Sequence, residues 1–282
     1  MPLNPAPPED LLGLADGYAQ TVQAVLDLGQ SLRPGDLDLS TDCPGWTVFD
    51  QIAHIAGTEA MVAGAEVPAV DVSGLAHVRH DFGALMERYV QVRRGRHIAE
   101  VLDELRGLLA ERLAFYRDPS TTAQTPAAGP FGRSTVIELL RVRIFDIWTH
   151  EQDIREALGR PGDLDTVGAA VAVDSLFSAL PRLVARTAAV PPGTAVILDL
   201  TGPVVGRAGV RVEERDGRPL GVPLFTGEPE DHADAATTTL TMSTHTACRL
   251  AAGRRSPEDL HVTVAGDPAV AARVLAALVL TP

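Results

Sequence analysis

Lysine is absent from this chain: its 24 basic residues are all arginine. That removes a Schiff-base lysine and the lysine of a phosphate-binding P-loop from the chemistry available. Cysteine is almost as scarce. Cys43 and Cys248 stand far apart with no paired spacing, so neither a disulfide framework nor a cysteine-rich zinc ribbon is in view, and a cytoplasmic setting is expected. Positive charge is also short. A net charge of −13 argues against nucleic acid, which is bound by clustered cations that neutralise phosphates. Long apolar runs are missing as well: Val270 to Leu280 contains Arg273 and falls short of the ~20 residues needed to cross a bilayer. The first residues have neither the cationic start nor the apolar core of a signal peptide, so no membrane association is expected. No HExxH spacing occurs.

What is present is enough for a large core. At 282 residues and 45% hydrophobic, the chain suits two modest domains. Pro8-Glu9-Asp10 opens a helix with acidic residues in its first turn, running to about Leu32. Thr47, after Cys43-Pro44-Gly45-Trp46, is a natural N-cap with Asp50 three positions behind it. A long amphipathic stretch from about Asp81 to Arg117 carries a break signal at Gly95. Ser134 or Thr135 caps a further helix, which Gly159-Arg160-Pro161-Gly162 stops. Four such segments predict a bundle over 1–162. Beyond it, Asp174 to Val190 reads as a helix, while 194–201, 208–214 and 237–243 read as strands. A helix over 244–252, a short strand from His261 and a helix after Asp267 complete an α+β domain over 163–282.

Within the last bundle helix, Asp146 and His150 are four apart and share a face. His54 falls near the apolar stripe of the Thr47 helix. Two helices side by side would bring His54, Asp146 and His150 together, and two imidazoles with one carboxylate are a donor set for a divalent ion with one position left open. Zinc fits first and nickel second, since affinity order alone does not decide occupancy. On the same face, Asp153 is placed to orient a ligand histidine or to serve as a catalytic carboxylate. Arg155 is expected to pair with Glu151. The ordinary alternative for each is structural: a hydrogen-bonded Asp–His pair, a core histidine, and solvated Glu151 and Asp153. Cys43 reads as a thiol beside a turn.

Cys43-Pro44-Gly45-Trp46-Thr47-Val48 leading to Ala53-His54-Ile55, with the stretch Asp146 to Arg155 and then Ala157-Leu158-Gly159-Arg160-Pro161, resembles the mycothiol-dependent maleylpyruvate isomerase family. The resemblance implies an α+β protein, with a DinB-like metal-binding four-helix bundle followed by a smaller domain similar to sterol carrier proteins. It also implies a metal held by His54, Asp146 and His150. Asp146 departs from the Glu expected in that family, which shortens the carboxylate without removing its ligand capacity. The thiol cofactor implied is mycothiol, the partners a small-molecule thiol and an electrophilic substrate, and the assembly a monomer or homodimer. An arginine of the second domain is expected to assist at the site, with Arg249 and Arg254 as candidates for carboxylate recognition.

A free thiol ionises near ~8.5, and coordination deprotonates it outright. The expected activity is therefore thiol activation for cis-trans isomerisation or S-transfer. Two other readings stand beside it. A metal hydrolase would use Asp153 or Glu151 as general base. A non-catalytic small-molecule-binding protein would survive loss of all three donors.

Overall fold

The computed structural model describes residues 3–226 and 236–281. It has an α+β fold with a helical N-terminal half and a sheet-bearing C-terminal half. Two compact units divide the chain: Pro8–Gly162, and Asp163–Pro282 joined by Met1–Pro7. The opening segment enters the second unit through paired backbone bonds between Asn4 and Val205, each 2.9 Å.

The helical unit is built from α1 (Leu11–Gln30), α2 (Val48–Val62), α3 (Asp81–Gln91), α4 (Ile98–Tyr116) and α5 (Val136–Leu158). Asp10 caps α1 by accepting from Gly13 N, so the acidic group expected in the first turn stands one step outside it. Thr47 and Asp50 close a reciprocal capping box on α2, and Thr135 does the same with Glu138 on α5. Each box satisfies two amides that the first helical turn leaves open. The stretch from Asp81 to Arg117 does break, into α3 and α4, with Gly95 at φ +84° between them. Gly159 ends α5 at φ +62°, a left-handed conformation that costs glycine no Cβ strain.

Helix α2 is the axis of this unit, touching α3, α4 and α5, while α1 closes against α4 and α5. Every residue from Asp50 to Ala60 is buried. A short antiparallel hairpin, β1 (Pro126–Gly129) and β2 (Gly132–Thr135), feeds the chain into α5. Its four-residue strands were not anticipated, because such short runs carry no measurable alternation.

The second unit contains α6 (Val167–Arg182), β3 (Thr194–Thr201), β4 (Val205–Arg215), β5 (Arg218–Leu224), β6 (Ala236–Met242), α7 (Thr244–Ala251), β7 (Thr263–Ala265) and α8 (Pro268–Ala277). The sheet order is β5-β4-β3-β6-β7, with β3 and β6 parallel and the other pairs antiparallel. β5 is an addition to the expected elements. Asp216 and Gly217, both at positive φ, join it to β4, as a two-residue hairpin turn requires. Gly221 in β5 lies under the end of α6: a Cβ there would stand 2.3 Å from the Pro181 carbonyl oxygen. Helix α6 begins at Val167, before the expected Asp174. With the wide turn that follows it, Val167–Thr187 is long and apolar enough to cross a bilayer by length and composition alone, but it is 56% buried and packs on β4, β5 and α7.

Candidate metal centre

A polar side chain on a helix as enclosed as α2 has no water to turn to, so it must find its partners inside the unit. Gln51, His54 and Thr58 follow one another at steps of three and four, which puts them on one face. Helix α5 carries a matching stripe, Arg143, Asp146, His150 and Asp153. The two helices pack against each other, and the stripes meet.

The donor atoms of His54, Asp146 and His150 all lie within 4.8 Å of one another. His54 Nε2 is 3.5 Å from Asp146 Oδ2, and His150 Nε2 is 3.6 Å from Asp146 Oδ1. Both separations are too long for strong hydrogen bonds. Ligands on a tetrahedral zinc with bonds of 2.0–2.2 Å stand roughly 3.3–3.6 Å from one another, so each histidine stands at about ligand spacing from one of the Asp146 oxygens. His54 is only 5% exposed, yet neither of its ring nitrogens has a hydrogen-bond partner. Leaving such a group unsatisfied costs about 1–3 kcal/mol, and an ion bound through its lone pair removes part of that cost. The residues fit a divalent metal.

Electrostatics favour the ligand forms. Burial, followed by the neighbouring His150, pushes the His54 pKa down to about 4, which keeps the imidazole neutral. Burial alone would raise the Asp146 carboxyl, but Arg143, then His150, together outweigh it and hold the group well below the usual carboxylate range. Metals take neutral histidine and ionised carboxylate, so neither group needs to lose a proton near neutral pH.

Beneath Asp146 runs a buried charged chain. Arg143 Nη1 donates to Asp146 Oδ2 at 2.9 Å and Nε donates to Glu59 Oε1 at 2.7 Å, while the Tyr18 hydroxyl donates to Glu59 Oε2 at 2.6 Å. Burial works against the Arg143 cation, but Glu59 and then Asp146 reverse the balance and raise its pKa. Burial, then the Glu59 charge, pushes the Tyr18 phenol well up, so it remains a proton donor. One Asp146 oxygen is thus tied to a fixed cation, which aims a side chain shorter than Glu.

On its other edge, His150 Nδ1 is 2.6 Å from Gln51 Oε1 and 3.4 Å from Asp153 Oδ2. The Trp46 ring lies over both imidazoles, with centroids 4.8 Å from His54 and 5.9 Å from His150. Its indole N–H donates to Glu87 at 2.7 Å, and Arg94 and His77 hold the same carboxyl group at 2.6 and 3.0 Å. Gly45 makes the turn possible: it sits at φ +79°, and a Cβ there would come within 2.3 Å of the His77 ring.

The structure therefore brings together His54, Asp146, His150 and Asp153. Cys43 joins their edge, since its sulfur lies within 4.8 Å of His150 and Asp153 donor atoms. Glu151 and Asp153 are buried rather than solvated, and Arg155 pairs with Glu151 at 2.7 Å. Arg249, on α7, is 2% exposed, and Arg254 just beyond it donates to the Ala252 carbonyl at 2.8 Å; both belong to the second unit. Gln51, Glu59 and Arg143 were not singled out from the sequence. The signal that would have found them is the polar stripe, at steps of three and four, on helices otherwise apolar enough to be enclosed.

Residues 18–155 match the family described as the mycothiol maleylpyruvate isomerase N-terminal domain. Among curated proteins none matches. Two similar solved structures are crystal structures of a mycothiol-dependent maleylpyruvate isomerase and of its histidine-to-alanine mutant. The first has 17% identity and a TM-score of 0.55, the mutant 16% and 0.56, and in each case 92% of this chain and 95% of the other are covered. At such identity these two likenesses speak for the fold. The family match thus covers the helical unit: residues 18–155 are similar to the mycothiol maleylpyruvate isomerase N-terminal domain.

Proposed function

We propose that this protein is a metal-dependent enzyme that activates a low-molecular-weight thiol, mycothiol, for cis-trans isomerisation or S-transfer to a small electrophile. The observation that carries the reading is the His54, Asp146, His150 triad: three donors within 4.8 Å of one another, one of them a buried histidine whose ring nitrogens have no hydrogen-bond partner. A zinc or nickel ion there would hold a thiol as thiolate at neutral pH and so supply the nucleophile. His54 and His150 would contribute neutral nitrogen donors, and Asp146 an oxygen whose direction Arg143 fixes. Trp46 packs against both rings.

Asp153 belongs to this proposal as a positioning group, because it faces Nδ1 of His150 while Asp146 faces Nε2. That placement takes support from the hydrolase reading, which needs a carboxylate beside metal-bound water. Arg249 and Arg254 enter as candidate carboxylate-binding groups, on the resemblance alone. A cytoplasmic monomer or homodimer completes the proposal.

Calorimetric titration with mycothiol tests it. Binding heat is expected from the zinc-loaded protein and none from the metal-free protein. Equal heat from both forms, or none from either, would overturn thiol activation by a metal.

A further inference from the structure

The turn that precedes α2 is tied to His150 by a chain of hydrogen bonds with a defined direction. The Trp46 carbonyl oxygen can only accept, and it lies 2.9 Å from the Thr41 hydroxyl. The hydroxyl proton is therefore used there. A hydroxyl offers one proton and two lone pairs; Thr41 Oγ1 takes the Gln51 side-chain amide Nε2 at 2.6 Å and the Cys43 backbone N–H at 3.3 Å. With its NH2 directed at Thr41, Gln51 presents Oε1 to His150 Nδ1 at 2.6 Å. Turning the Gln51 amide over would draw the Thr41 proton toward it. The Thr41 and Trp46 oxygens would then face each other at 2.9 Å with no hydrogen between them. The orientation of the amide is thus set by the turn.

From this we infer that Gln51 and Thr41 are positioning residues that hold His150 as the Nδ1–H tautomer, leaving the Nε2 lone pair for the metal. The inference rests on the metal reading above and deepens it. Distance assigns the role to Gln51 first: its oxygen is 0.8 Å closer to Nδ1 than the Asp153 oxygen, 2.6 against 3.4 Å. Asp153 lies on the same side of the ring, with its Oδ2 3.4 Å from Nδ1. A metal-ligating histidine whose other nitrogen donates to a fixed acceptor is oriented and made more basic, and loss of that acceptor typically lowers metal affinity 10–100-fold. The inference also gives the Cys43-Pro44-Gly45-Trp46 segment a task beyond starting a helix. Its last carbonyl is the anchor from which the tautomer is set, and its tryptophan ring covers the histidines so set.

The test has two readouts. The first is the tautomer of His150, read by nitrogen NMR of histidine-labelled, metal-free protein at neutral pH, where Nδ1–H is expected. The second is zinc affinity. Gln51→Leu and Thr41→Val are expected to weaken binding by about 10–100-fold, while Thr41→Ser, which keeps the hydroxyl, stays close to wild type. The Thr41 hydroxyl also ties the turn, so a role in folding alone would separate Thr41→Val from Thr41→Ser in unfolding free energy but would leave the His150 tautomer and the zinc affinity of the folded Thr41→Val protein unchanged. An Nε2–H tautomer in the metal-free protein, or wild-type zinc affinity in Gln51→Leu, overturns the inference. A wild type with no zinc affinity overturns the metal reading and the ligand role of His150 with it. The tautomer then shows whether the hydrogen-bond chain is itself correctly drawn.

Discussion

The two units of this chain spend their interiors differently. Among the described residues, the helical unit buries Asp50, His54, Glu59, Glu87, Arg93, Arg112, Arg143, His150, Glu151 and Asp153, whereas the second unit buries Arg249 with Thr238, Thr244 and Thr246. Taking charge out of water costs several kcal/mol per ion, and apolar replacements of the same volume often stabilise as well or better. A fold in need of stability alone would resemble the second unit, in which β3 alternates toward a buried apolar face. The helical unit accepts the cost along α2 and α5, where the proposed metal ligands His54, Asp146 and His150 stand. Its charges are paired outward from that triad: Asp146 to Arg143 to Glu59 to Tyr18, and His150 to Gln51 to Thr41.

Breaking that chain gives the largest expected effect on stability. Arg143→Met leaves Glu59 buried without its cation and should cost about 3–5 kcal/mol in urea unfolding. The double variant Arg143→Met with Glu59→Gln should recover most of it. A single-variant loss under about 1 kcal/mol would mean that the buried pair does not constrain the unit.

The second test is pH. His54 has a folded pKa of about 4 against ~6.5 when unfolded. Between these values the unfolded chain binds more protons, so stability is held above the unfolded pKa and falls as pH drops through the window. Metal-free protein should lose about 3 kcal/mol from this histidine between pH 7 and pH 4, and His54→Asn should flatten that part of the profile. A slope unchanged in the variant would show that His54 is not the titrating group.

The smallest effect is expected on the other side of the comparison. Arg207 and Asp199 in the second unit make an exposed pair at 3.3 Å, and Arg207→Ala should change unfolding free energy by less than about 1 kcal/mol. A loss as large as that of Arg143→Met would erase the contrast between the units.

The sequence made the helices that matter legible because their ends are chemically marked. Thr47 with Asp50, Thr135 before Glu138, and Gly159 followed by Pro161 are local signals that do not depend on tertiary partners. β3, β6 and α7 were readable for a related reason, as runs long enough to show a period. β5 was missed although Asp216-Gly217 marks its turn, because Leu220, Gly221, Val222 and Pro223 do not alternate. At the site, the spacing of Asp146 and His150 and the Cys43 to His54 segment pointed to the triad. Gln51 and Arg143 stayed hidden because their roles depend on α2 being enclosed, a tertiary fact. Seen alone, each is an ordinary polar residue on a helix; only burial forces it to choose a partner.

The central claim is that the buried polar interior of the helical unit exists to hold a divalent metal between α2 and α5. Zinc titration of the metal-free wild type beside Asp146→Ala tests it most directly. The account predicts one zinc per chain, with affinity lowered at least about a hundredfold in the variant, beyond what loss of a ligand's hydrogen-bond partner produces. A wild type that takes up no zinc or nickel, or an Asp146→Ala variant that binds as tightly as wild type, would contradict it.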